Sequence, residues 1–155
     1  MNPRVEAVTR VLREAGVVGA VRVLDSKAHT AALAAEQLGI EIGAIANSLI
    51  FDANGVPLLV MTSGAHRVDT VKIAALLGIS TLRRADPEFV RTHTGQPIGG
   101  VAPVGHPEPI GTLVDIELAR YDQVWAAAGH PSKVFPTSYA ELLRITAGTA
   151  AEVGD

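Results

Sequence analysis

The sequence predicts a single α/β (α+β) domain: a mixed, largely antiparallel β-sheet curled into a barrel, with helices around it. Three observations carry this expectation. The 155 residues are enough for one hydrophobic core without staples, and too few to make a second domain the default. Apolar residues make up 48% and charged residues 19%, a globular balance. Short strand-type and helix-type segments are interspersed rather than strictly alternating, which argues against a doubly wound parallel sheet.

Taken in order, Asn2 and Pro3 open a first helix as N-cap and first-turn proline. Val5, Val8, Leu12 and Ala15 then recur at helical spacing up to Gly16. "GAVRVLD" alternates Val21 and Val23 around Arg22 and reads as a short strand, followed by the helix "HTAALAAEQLG" ending at Gly39. "IANSLIF" and "VPLLVMT" flank Asn54-Gly55, and Asn-Gly between apolar runs predicts an antiparallel hairpin because both turn positions tolerate positive φ. "RVDTVKIAALLG" is a helix stopping at Gly78, with Ser63 expected as its cap and Asp69 as a first-turn charge. "STLRRA" reads as a strand, and Asp86-Pro87 caps a helix through "DPEFVRTH". Prolines 97, 103, 107 and 109 then forbid a continuous helix and leave a long structured loop. "TLVDIEL", "DQVWAAAG" and "SKVFP" are three further strand candidates, before a capped helix "TSYAELLRITAG" ending at Gly148. The domain is expected to occupy residues 1–148, with 149–155 a frayed tail.

Composition excludes several function classes. There is no cysteine, hence no disulfide framework, thiolate nucleophile or Cys-based zinc site, and a cytoplasmic home is expected. Charges at Arg4, Glu6, Arg10, Arg13 and Glu14 break any signal-peptide core. No uncharged apolar run approaches the roughly 20 residues of a membrane span. The net charge is −3, with three lysines and ten arginines, so no globally basic DNA-binding surface is expected. Contact with RNA would have to be local, around Arg67, Arg83, Arg84 and Arg91.

Chemistry could reside in a few places. The loop from His93 to His106 has four glycines, two prolines and no charged residue. It reads two ways: as a backbone-built pocket whose N–H groups meet an anionic or carbonyl oxygen, or as a surface loop turning tightly between elements. Ser63, His66 and Asp69 imitate a catalytic triad, but no GxSxG elbow surrounds Ser63 and the three are too close in sequence. His66 and Arg67 stand at a strand-to-helix junction, a common ligand position, and are kept with Ser63 as candidate substrate-binding residues. The five histidines form no HExxH or comparable pair, so neither a metal nor another cofactor is expected. Trp125 reads as core. In the strand "AIANSLIF", Asn47 and Ser48 point to opposite faces. Ser48 can satisfy itself locally, whereas Asn47 carries both donor and acceptor and serves equally as a structural bridge or a ligand contact.

The ordered blocks "HTAALAAEQLG", "IGAIANSLIF", "PLLVMTSGAHRVDTVKIAALLG", "LRRADPEFVRTHTGQPIGGVAPVGH" and "VWAAAG" resemble the YbaK and prolyl-tRNA-synthetase-associated editing domains over nearly the whole chain. The resemblance implies a barrel-like α/β fold and metal-free hydrolysis of the ester of a mischarged tRNA, typically tRNA(Pro) bearing Cys or Ala. It implies as partners the 3′-aminoacyl-adenosine end of that tRNA and an aminoacyl-tRNA synthetase, with no DNA and no membrane. The family's Gly-Gly-x-x-Pro-x-Gly loop matches Gly99, Gly100, Pro103 and Gly105. Asn47 stands where the family carries a lysine, so Asn47, Gly99 and Gly100 are the expected catalytic residues. Pro103, Gly105, His106, Gly129 and His130 join the substrate-binding set, although the family pattern Gly-x-Arg-Gly-x-x-Ile is not kept after Gly129, where "HPSKVFP" follows. Loss of the lysine also favours a second reading, a non-catalytic module that binds aminoacyl-tRNA or nucleotide in the same pocket.

Overall fold

The structure, a computed structural model, describes residues 3–25 and 30–154; the expected cap Asn2 and the histidine at position 29 lie outside them. The chain begins with α1 (Pro3–Glu14), whose Val5, Val8 and Leu12 are buried, as the helical spacing requires. Of "GAVRVLD" only β1 (Arg22–Val23) is a strand. It is followed by α2 (Ala31–Leu38), capped by Thr30, whose side chain accepts from the Leu33 N–H, and closed by Gly39 in the left-handed region. The hairpin forms as expected between β2 (Ile45–Ala53) and β3 (Val56–Ser63), with Asn54 at φ 55° and Gly55 at φ 90°.

The cap of α3 (Thr70–Leu77) is Asp69, whose carboxylate accepts from Val71 and Lys72, so Ser63 is not a cap but the last residue of β3. β4 (Arg83–Arg84) and α4 (Pro87–Thr94) follow, with Asp86 capping α4. "TLVDIEL" divides into β5 (Gly111–Asp115) and a 3₁₀ turn, Ile116–Arg120, because the Asp115 side chain accepts from Glu117 N–H and starts a helical turn. β6 (Val124–His130), β7 (Lys133–Thr137) and α5 (Tyr139–Thr146) complete the expected elements.

The sheet runs β1-β7-β6-β2-β3-β5-β8, with β4 also on β2. It is mixed, as expected, but it is not a closed barrel. Among the described residues the terminal strands β1 and β8 (Thr149–Ala151) do not pair with each other, and at two and three residues they are too short to carry a closing seam. Parallel joins β2–β6, β3–β5 and β5–β8 weaken the antiparallel character too. The expected frayed tail is a second correction. β8 pairs with β5, Val153 is completely buried, and Gly154 bridges Val68. Apolar Ala151 and Val153 hold this segment down, a signal too short to register as periodicity.

β2 positions everything that follows. Its even residues Ala46 and Ile50 enter the central core with Val8, Leu12, Phe135 and Leu142. Its odd residues split: Ile45 packs with Ala34, Ala35 and Val134, while Phe51 packs with Ile73 and Leu82. On the side away from β3, β6 pairs only with Ile45 and Ala46, and β4 only with Phe51 and Asp52. Residues 47–49 therefore lack a strand partner on that side among the described residues, while Ile50 O accepts from Ala85 N–H there.

Candidate functional site

A cleft of about 120 Å³ opens at this interruption of the sheet. Its floor is the odd face of β2, Asn47 with Ile45 and Leu49, continued by Trp125 and Ala127 of β6 and Val134 of β7. The register explains the grouping: Ile45 is level with Trp125, and Ala127 with Val134, so their side chains share one face. The start of α2, from Thr30 to Ala34, forms one wall; Gly99, Val101 and Pro131 form the other. No Lys, Arg, His, Asp or Glu lines it among the described residues. Asn47 is half-buried, and its side-chain amide has no hydrogen-bond partner among the described residues. A buried amide normally spends both its donor and its acceptor. Here both are unspent and face an open cleft.

The glycine loop reaches the cleft because a buried side chain holds it. Gln96, 3% exposed, accepts from Ala102 N–H at 2.6 Å and donates to the carbonyls of Val104 at 3.3 Å and Gly105 at 3.5 Å. Gly99 has φ +87° and open space where a Cβ would stand, so it presents bare backbone to the cleft. Gly100 differs: a Cβ there would come within 2.8 Å of the His130 and Pro131 backbone, so its missing side chain permits close packing on the β6–β7 turn rather than ligand entry. Its N–H is already given to Pro97 O at 3.0 Å. Gly99 and Val101, both lining the cleft, keep N–H groups without a partner among the described residues.

The other expected residues lie elsewhere. Pro103 is buried within the loop. Gly105 and Gly129, both at positive φ, abut Val8 of α1. His106 donates from Nε2 to Ala102 O at 2.8 Å, and burial holds its imidazolium pKa below the ordinary value, opposed in part by that hydrogen bond. His130 accepts the Ser132 N–H at Nδ1, 3.1 Å away, and so closes the β6–β7 turn. Ser63, His66 and Arg67 do not line the cleft. Ser63 Oγ donates to Gly43 O at 2.8 Å, and Arg67 is exposed. His66 donates from Nδ1 to fully buried Asp115 at 2.9 Å, so its carboxylate partner is Asp115 and not Asp69. Asp115 also accepts from Ser63 N–H at 3.0 Å and Glu117 N–H at 3.0 Å, which makes the cluster a clamp between β3 and β5.

Sequence reasoning missed Trp125 and Gln96. Trp125 is half-buried on the cleft floor rather than core. The signal was its alternation with Val124 and Ala126, both fully buried, which forces the indole to the opposite face. Gln96 could have been found as the lone amide in an uncharged loop that had to be buried.

Residues 25–145 match the aminoacyl-tRNA editing domain family. The chain belongs to that family. It is 32% identical over 131 residues to a proline–tRNA ligase of Nitratidesulfovibrio vulgaris, covering 77% of this chain and 23% of the ligase, so it spans about a quarter of that relative. The uncharacterised protein YwhH of Bacillus subtilis is 29% identical over 123 residues, covering 79% of this chain and 78% of YwhH. A crystal structure of a proposed trans-editing enzyme for prolyl tRNA synthetase superposes with a TM-score of 0.94 at 37% identity, covering 100% of this chain and 99% of that one. None of the described helices is long and apolar enough to cross a membrane.

Proposed function

We propose that this editing domain is a trans-acting aminoacyl-tRNA deacylase, hydrolysing the ester of a mischarged tRNA, with tRNA(Pro)-type substrates the first to test. The observation that carries the reading is the amide of Asn47, unspent among the described residues, in a cleft that also holds the bare backbone of Gly99. Acyl transfer from an ester needs donors aimed at the oxygen that becomes charged when the carbonyl turns tetrahedral. In this proposal the N–H groups of Gly99 and Val101 supply them, in place of the spent N–H of Gly100. Asn47 orients the ester, water attacks its carbonyl carbon, and the ribose hydroxyl leaves with a proton. Among the described residues the lining carries no charge, which suits an uncharged aminoacyl side chain, because an ion there would lose hydration without a counter-charge.

One observation favours a second reading, a non-catalytic module that retains its ligand. Among the described residues the cleft contains no titratable side chain to act as general base, and Asn47 brings no positive charge. The purified chain should be given tRNA(Pro) charged with Ala, Cys or Pro. Release of Ala or Cys well above the spontaneous rate, with Pro spared, is the expected result. Hydrolysis at the spontaneous rate with retained binding would sink the deacylase and leave the module.

A further inference from the structure

The glycine loop is braced from the side that faces away from the cleft. Gly99 and Val101 line the cleft, and behind them Ala102 is fully buried and held through both of its backbone groups. Its N–H donates to Gln96 Oε1 at 2.6 Å, and its carbonyl accepts from His106 Nε2 at 2.8 Å. Because the acceptor is a carbonyl, the shared proton belongs to the imidazole. Nε2 is therefore the protonated nitrogen of the neutral ring, and Nδ1 is left to take the proton that makes the imidazolium. One residue before Val101, Gly100 is fixed by its bond to Pro97 O and by close packing on the β6–β7 turn. Val101 thus hangs between two fixed points, and one of the two clasps on Ala102 can be ionised.

Solvent reaches that clasp. A depression of about 220 Å³ opens behind the loop, between α1 and the end of α4, with Gln96 and His106 in its lining. Among the described residues Arg4 of α1 is the other charged or titratable group that lines it, and no carboxylate does. An imidazolium formed here has no counter-charge beside it, and the water of the depression is its way out. We propose that His106 is a positioning residue for the hydrolytic site: its neutral ring, acting through Ala102, keeps the N–H groups of Gly99 and Val101 aimed into the cleft, and protonation turns the ring outward and slackens the loop. Burial opposes the charged ring and outweighs the hydrogen bond to Ala102, which favours it, so the clasped state is the neutral one and is populated as pH rises above the lowered folded value. The cleft has no titratable side chain of its own among the described residues, so a pH response of the protein enters from outside it. The effect on turnover rests on the deacylase reading, whereas the effect on the loop is a property of the chain alone.

The test has two arms. In an NMR titration of the isotopically labelled chain from pH 7.5 to 5, the amides of Gly99 and Val101 are expected to move with the same midpoint as the His106 ring. In steady-state kinetics with Ala-tRNA(Pro), His106→Leu removes the donor and is expected to lower kcat about tenfold at pH 7.5, with KM near the parent's. Glutamine presents an amide N–H where Nε2 stood, so His106→Gln is expected to recover most of that loss and to lack the parent's acid-side decline in kcat. Using one ester throughout cancels the titration of the substrate's own amino group. A His106→Leu variant with the parent's kcat and only a lower melting temperature overturns the proposal. So does a His106→Gln profile that superposes on the parent's at every pH, or loop amides that ignore the ring. The NMR arm needs no variant, so it decides the matter even if His106→Leu fails to fold. Amides that follow His106 in a chain that hydrolyses nothing would keep the positioning role and remove the deacylase. Hydrolysis with amides that stay still would do the reverse.

Discussion

Asn47 shows how a single side chain can be separated from the stability of its fold. Its amide has no partner among the described residues, so Asn47→Ala removes nothing that folding relies on. The expected outcome is a fall of about ten- to a hundredfold in kcat/KM with mischarged tRNA, and a melting curve that superposes on the parent's. A loss of both together would make Asn47 a packing residue. His106 works in the opposite sense, on stability. Its folded pKa lies below the ordinary 6.5, so the unfolded chain binds the proton more readily. Stability is therefore full above pH 6.5 and declines as pH falls from there toward the lower folded value. Denaturant titrations between pH 7.5 and 5 should show this decline in the parent and a flatter profile in His106→Gln. At this scale the sequence was partly legible. A polar residue inside an apolar strand marked Asn47, but nothing local distinguished His66, whose carboxylate partner lies 49 residues away.

Among the elements, the loop between α4 and β5 depends on one amide. Gln96 is satisfied by three backbone groups of the segment it spans, so Gln96→Leu strands an N–H and two carbonyls at once. The expected result is a loss of about 2 kcal/mol in stability and a lower kcat, because Gly99 and Val101 are no longer held. Gln96→Glu keeps the acceptor for Ala102 but not the donors. It should therefore recover part of the stability and less of the turnover, measured by chemical denaturation beside steady-state kinetics. Helix limits were legible wherever a cap residue declared them, as Asp86 and Gly39 did. Strand limits were not. "GAVRVLD" and "STLRRA" each shrink to two paired residues, because pairing depends on a partner strand distant in sequence.

For the whole molecule, the order of blocks and the hairpin identified the class of fold, while closure of the sheet could not be read. Closure depends on whether the two terminal strands meet, and β1 and β8 carry almost no strand signal of their own. The end of the chain was misjudged for the same reason. Ala151 and Val153 are two small apolar residues with no periodic run, yet their burial ties the chain end to β5 and α3. The Val153 carbonyl accepts the Asp69 N–H, and the Gly154 carbonyl accepts Lys72 Nζ. Truncation after Gly148 is expected to cost about 3 kcal/mol, or roughly 10 °C in Tm, readable by calorimetry. A tail that can be removed without moving Tm would return it to the frayed state the sequence suggested.

The membership of β2 in three separate apolar clusters has a mechanical consequence. The strand that carries Asn47 and Ser48 cannot shift without loosening the packing beneath α1, α2 and α3 together, so the floor of the cleft is its stiffest part. Fitting different guests is then left to the rim. Under the proposed function, that floor is the fixed gauge against which an acyl group would be sized.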